Sequence, residues 1–112
     1  MSIPGLHLTQ IGREDFLLEP SRGLDFSDHD RLVESIVERL LDARASRLYY
    51  DLSAQAIIDP VYYNWLNKLA RTVQAINVKM VCVQMRPTAA FSLAQFTCEI
   101  PAFETALRIS DR

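Results

Sequence analysis

The stretch Leu48–Leu66, LYYDLSAQAIIDPVYYNWL, decides how the rest of the chain is read. Its apolar beginning, Leu48 to Leu52, reads as a buried strand. Small and polar residues follow, and Asp59-Pro60 then opens a helix. An aspartate accepts free amide hydrogens at a helix start, and proline's fixed φ suits the first helical position. A strand–loop–helix junction of this kind is where an α/β domain usually carries its functional groups. Between Ile57 and Leu66 there is no Ser, Thr, His or Cys, and so no nucleophile and no conventional phosphoacceptor.

The segments on either side complete an α/β pattern. The helix after Pro60 extends over about Val61 to Ile76, with Leu66, Leu69, Val73 and Ile76 along one stripe. Val78–Met85, VKMVCVQM, is a β-branched strand, so strand, helix and strand form a βαβ unit, which requires parallel pairing. Upstream, Leu6–Ile11 and Asp15–Glu19 flank Gly12-Arg13-Glu14 and predict a β-hairpin with one solvated face. From Phe26, with Ser27 or Asp28 as the cap, Leu32, Val33, Ile36, Val37, Leu40 and Leu41 recur at a helical period as far as about Arg44. Pro87 opens a third helix expected to bury Ala90, Phe91 and Ala94 or a similar stripe. A last short strand is expected near Phe103–Leu107.

Composition excludes several classes of function. A chain of 112 residues, 49% hydrophobic and 23% charged, is expected to form one domain with one modest core. A formal net charge of −2 gives no electrostatic reason for a nucleic-acid partner. No apolar run approaches the roughly 18 residues of a membrane span, and MSIPGLHLTQ lacks the basic start and apolar stretch of a secretory signal. A cytoplasmic location is the expectation. Two cysteines, Cys82 and Cys98, do not make a disulfide framework, and Cys82 within its apolar strand reads as a small buried hydrophobe.

Few residues are disposed for chemistry. Asp59 reads as a helix cap, because acid–base work needs a second polarising group that the sequence does not provide. Tyr62, Tyr63 and Trp65 cannot all turn inward if Leu66, Leu69 and Val73 define the buried face. At least one ring is therefore expected at the surface, as cover for the sheet edge or as an anchor for a protein partner. His7 and His29 have no partner at a metal-ligand spacing, and Asp28, His29 and Asp30 read as a charged helix start. There is no glycine-rich phosphate loop, no paired-cysteine motif and no serine elbow. No cofactor, no metal and no catalytic group is expected, and the chain reads as a non-enzyme.

Three stretches, YYDLSAQAIIDP (Tyr49–Pro60), VKMVCVQMRPTAAFSL (Val78–Leu93) and FETAL (Phe103–Leu107), resemble the STAS domain of bacterial anti-sigma-factor antagonists and stressosome scaffold subunits. The resemblance extends over nearly the whole chain, the hairpin and first helix matching in pattern only. It implies an α/β fold with a mixed β-sheet of four to five strands and helices packed mainly on one face. It also implies a single domain over 1–112 whose family C-terminal helix is very short, absent or trimmed. The implied activity is protein–protein switching, in which a partner serine kinase, often itself the anti-sigma factor, phosphorylates a Ser or Thr after the Ile-Asp pair. Carried over residue by residue, Asp59 matches that aspartate and Pro60 stands where the acceptor should be. Proline has no hydroxyl. The nearest ones are Ser53, which matches a turn-forming family position and is the remaining candidate acceptor, and Thr72 further along the helix.

The first expectation is therefore a signalling module that docks a serine kinase/anti-sigma factor, or other STAS copies, through Asp59, Pro60, Tyr62, Tyr63 and Asn64. The second is an oligomerising scaffold subunit, a homo-oligomer. The third is a small-ligand or nucleotide sensor with an anion site at Arg86-Pro87, since Asp59 would repel an anion at the other helix start.

Overall fold

A computed structural model describes residues 5–21, 24, 27–95 and 101–109 of the chain. Leu6–Gln10 (β1) and Asp15–Pro20 (β2) form the antiparallel hairpin that their alternation predicts. The Ile11 N–H donates to the Asp15 carbonyl at 2.9 Å to close the turn. The Gln10 side-chain amide braces it by donating to the Gly12 and Arg13 carbonyls.

Helix α1 covers His29–Asp42, and Asp28 caps it by accepting the Arg31 N–H at 3.3 Å. Phe26, from which the sequence starts this segment, lies outside the described residues. The helix ends in a Schellman motif two residues short of Arg44, which adopts φ 53. The Arg44 N–H donates to the Leu41 carbonyl, and the Ala45 N–H to that of Leu40. Leu32, Val33, Ile36 and Leu40 are buried as the periodicity requires. Leu41 is not: it is 54% exposed, at the edge of the stripe in the last turn.

The decisive segment folds as its sequence predicts, into Arg47–Asp51 (β3), Pro60–Gln74 (α2) and Lys79–Val83 (β4). Strands β3 and β4 pair in parallel, from Arg47 opposite Lys79 to Asp51 opposite Val83. Helix α2 stops before Ile76 because Asn77 turns into the left-handed region at φ 65. The Val78 N–H then returns to the Val73 carbonyl at 2.9 Å. Gln84, at φ 58, ends β4 in the same way before Met85. Pro87–Ala94 (α3) and Glu104–Ala106 (β5) follow, β5 pairing in parallel with β4. The result is a five-stranded mixed sheet in the order β1-β2-β3-β4-β5.

One face of the sheet carries the main core. Phe16, Leu18, Leu48, Tyr50, Met80 and Cys82 pack there with the buried sides of α1 and α2. Because side chains alternate along a strand, Tyr49, Val81 and Val83 point to the other face, where Leu17 and Ile109 are the partly buried hydrophobics packed against them among the described residues. Helix α3 departs from the sequence reading. Ala90 and Ala94 are exposed, Phe91 is 71% exposed, and Ala89 is the buried residue. The segment PTAAFSLA is apolar almost all round, so periodicity cannot choose its buried face. Cys82 is buried and its thiol pKa is pushed well up by desolvation. Cys98, and whatever follows Ile109 where the C-terminal helix is in question, lie outside the described residues.

Candidate functional site

The β3–α2 junction is built by short-range hydrogen bonds. After β3, the Ser53 N–H donates to Asp51 Oδ1 at 2.8 Å and the Gln55 N–H to the Leu52 carbonyl at 3.0 Å, which turns the chain away from the sheet. Helix α3 then holds the loop from the side. Ser92 Oγ accepts the Ile58 N–H at 3.0 Å, and the Thr88 hydroxyl donates to the Ala56 carbonyl. Between these two fixed points Ile57 projects outward, 63% exposed, while Ile58 is fully buried.

Asp59 takes the cap position with extended backbone, and its Oδ1 accepts the Tyr62 N–H at 2.8 Å. Pro60 occupies the first helical position, where its missing N–H costs nothing. Both residues are exposed, as are Val61 at 59% and Asn64. Ser53 is exposed, and its backbone belongs to the turn. Thr72 lies more than two turns from Asp59, and its hydroxyl donates to the Lys68 carbonyl at 2.8 Å.

The three aromatic residues behave differently from the sequence expectation of a ring at the surface. Trp65 is fully buried and Tyr62 is 6% exposed. Tyr63 is half-buried, its ring edge-on to Phe103 at 6.2 Å between centroids. Tyr62 therefore supports the junction from beneath. Its hydroxyl lies 2.6 Å from that of Tyr50, and the Trp65 indole N–H donates to the same Tyr50 oxygen at 2.9 Å. Burial pushes the Tyr62 hydroxyl up to about 12 and raises that of Tyr50 well above its ordinary value, so both remain neutral donors and acceptors at physiological pH. His29, at the start of α1, packs its ring against Trp65 at 5.6 Å. It serves as a packing residue there, and the described residues hold no cluster of three metal-ligating side chains.

The surface around Asp59 and Pro60 is thus mainly aliphatic. Ile57 and Val61 flank the cap, and Phe91 lies on α3 beside the Thr88 and Ser92 side chains that grip the loop. The sequence reading missed all three. A signal existed for Val61, which falls off the stripe defined by Leu66, Leu69 and Val73, whereas Tyr62 is the position four before Leu66 and continues that stripe. Nothing local distinguishes Ile57 from Ile58. At the other helix start, Arg86 is the α3 cap residue and makes no side-chain capping bond. Among the described residues no helix is long and apolar enough to cross a membrane.

No family model matches the chain, and no curated protein matches its sequence. Solved structures do share its fold. A serine-to-glutamate variant of RsbS from Moorella thermoacetica superposes with a TM-score of 0.76 at 16% identity, covering 91% of this chain and 88% of that one. The protein TM1081, solved by NMR, gives 0.64 at 13% identity, covering 77% and 69%. The anti-sigma factor antagonist SpoIIAA, in its unphosphorylated form, gives 0.61 at 12% identity, covering 80% and 78%. The α/β fold that the sequence resemblance implied, that of the STAS domain, is the fold of this chain.

Proposed function

We propose that this STAS-fold chain is a signalling module without enzymatic activity, one that docks a regulatory protein of the serine kinase/anti-sigma factor class, or another STAS copy, at the β3–α2 junction. The observation that carries the reading is the make-up of that junction. Ile57 and Val61 are 63% and 59% exposed beside an exposed Asp59-Pro60 cap, and Phe91, 71% exposed, lies on the helix whose Thr88 and Ser92 hold the loop. The loop beneath them is held rigidly by the Ser92 and Thr88 bonds. Exposed apolar side chains on a pre-organised loop favour a protein partner, because little ordering entropy is lost on docking. An anti-sigma factor antagonist of the same fold supports the class of partner.

Pro60 gives the module its particular character. Phosphate at a helix start adds close to two negative charges and rebuilds a docking surface. Proline at this position has no oxygen to accept it, so the surface keeps one charge state. Calorimetric titration with the serine kinase/anti-sigma factors of the source organism tests the docking. One of them should bind, and Ile57→Asp should weaken it by tenfold or more while the circular dichroism spectrum stays unchanged. Equal affinity of the wild type and Ile57→Asp would place the interface elsewhere.

A further inference from the structure

Helix α3 is weakly built for an element that borders the proposed docking surface. It has eight residues, and isolated helices below about 12–15 residues are marginal in water. Arg86 at the cap makes no side-chain capping bond, the first turn holds no acidic residue and the last turn no basic one. Ala89 is its one buried residue, and Leu93 is only partly packed against the core. Ala90 and Ala94 lie two positions beyond Thr88 and Ser92, and so on the opposite side of the helix from the β3–α2 loop. There they line, with Met85 and Leu107, an open apolar groove of about 700 Å³.

The side that meets the loop is the better held. Thr88 and Ser92 are four apart and share one face of the helix. The Thr88 hydroxyl donates to the Ala56 carbonyl. Ser92 Oγ accepts the Ile58 N–H at 3.0 Å and donates to the Ala89 carbonyl of its own helix at 2.8 Å. The loop, for its part, is turned by the Ser53 N–H on Asp51 and the Gln55 N–H on the Leu52 carbonyl. Beyond Gln55 these two hydroxyls hold its backbone as far as Ile58. Each element therefore supplies bonds that the other lacks.

We infer that Thr88 and Ser92 are positioning residues of the junction: through them α3 and the loop over 53–58 open and close as one cooperative unit, and its closed form is the one a partner binds. In the open form both hydroxyl bonds are lost. Ile57, which projects from between Ala56 and Ile58, then has no fixed place beside the Asp59 cap. A partner that docks on Ile57 and Val61 selects the closed form, and by linkage it stabilises α3 as well. The cooperative opening stands on the hydrogen bonds alone, whereas its effect on a partner rests on the docking proposed at the junction.

Amide exchange followed residue by residue by NMR tests both halves. Thr88→Val keeps the shape of the side chain and removes its hydroxyl. The Ile58 N–H keeps its own acceptor, Ser92, yet its exchange should quicken about fivefold, the equivalent of one typical hydrogen bond, and so should that of the Ala90 N–H, which donates to the Arg86 carbonyl within α3. Exchange in β3 and β4 should stay unchanged, and Thr88→Ser, which restores the donor, should return both amides to within twofold of the wild type. No quickening at Ile58, or no return with Thr88→Ser, overturns the cooperative unit. Ser92→Ala, read at the Gln55 N–H, gives the same comparison should Thr88→Val disturb β4. A serine kinase/anti-sigma factor that binds the wild type, present at about a hundredfold over its Kd, should slow Ala90 exchange about a hundredfold. A bound partner that leaves Ala90 unchanged overturns the link between α3 and docking. Failure of every such protein to bind would overturn the docking proposal instead, and exchange in the free protein would still decide the cooperative unit.

Discussion

At the scale of single residues, the most consequential group is the buried triad of Tyr50, Tyr62 and Trp65. Its three polar atoms satisfy one another inside an otherwise apolar core. Tyr50→Phe removes the oxygen that the Trp65 N–H and the Tyr62 hydroxyl share, and with it two buried hydrogen bonds, which costs about 1–3 kcal/mol. Urea denaturation should show that loss, and a smaller one for Tyr62→Phe, which removes only the Tyr50–Tyr62 bond and leaves the Tyr50 oxygen accepting from Trp65. The triad also sets an alkaline limit. The Tyr62 hydroxyl titrates near 10 in the unfolded chain and at about 12 in the folded one, so above pH 10 the unfolded state loses its proton first. Stability is accordingly level through neutral pH and falls from about pH 10 upward, and Tyr62→Phe should flatten part of that fall. Asp59 acts at the same scale. Asp59→Ala removes the acceptor of the Tyr62 N–H and should cost about 1 kcal/mol, read from the same denaturation curves.

At the scale of elements, the sequence specifies best where one physical signal acts alone. The hairpin and β3 follow from alternation and apolar runs, and α2 follows from a strong cap and a regular stripe. The parallel pairing of β3 and β4 follows from the helix between them. Legibility fails where neighbours decide. The buried side of α3 is chosen by the loop that Thr88 and Ser92 grip, more than thirty residues away in sequence. The surface of the candidate site fails for a simpler reason: Tyr62 is large, lies near a helix start, and looks exposed until its place on the inward stripe is followed back one turn from Leu66. Strand β5 is another element set by long-range contacts. Its three residues are exposed, and it is held by β4, by buried Phe103, and by Asn67 of α2, whose Oδ1 accepts the Ala102 N–H at 2.8 Å. Asn67→Ala should speed amide exchange in β5 well before exchange in β3 and β4, because only the edge strand loses its tether.

At the scale of the whole molecule, two surfaces of different chemistry occupy opposite ends of β3. The β3–α2 junction presents aliphatic groups around Pro60. A groove near Arg47 and Lys79 presents charge on the other sheet face. The central claim concerns the proposed docking surface at the junction, where Pro60, which has no hydroxyl, stands at the position the STAS resemblance gives to the acceptor. Intact-mass spectrometry after incubation with the bound serine kinase and ATP tests that claim most directly, comparing the wild type with Pro60→Ser. The account predicts an unmodified wild type and one added phosphate on Pro60→Ser. A phosphate on the wild type at any residue between 53 and 66 would contradict it.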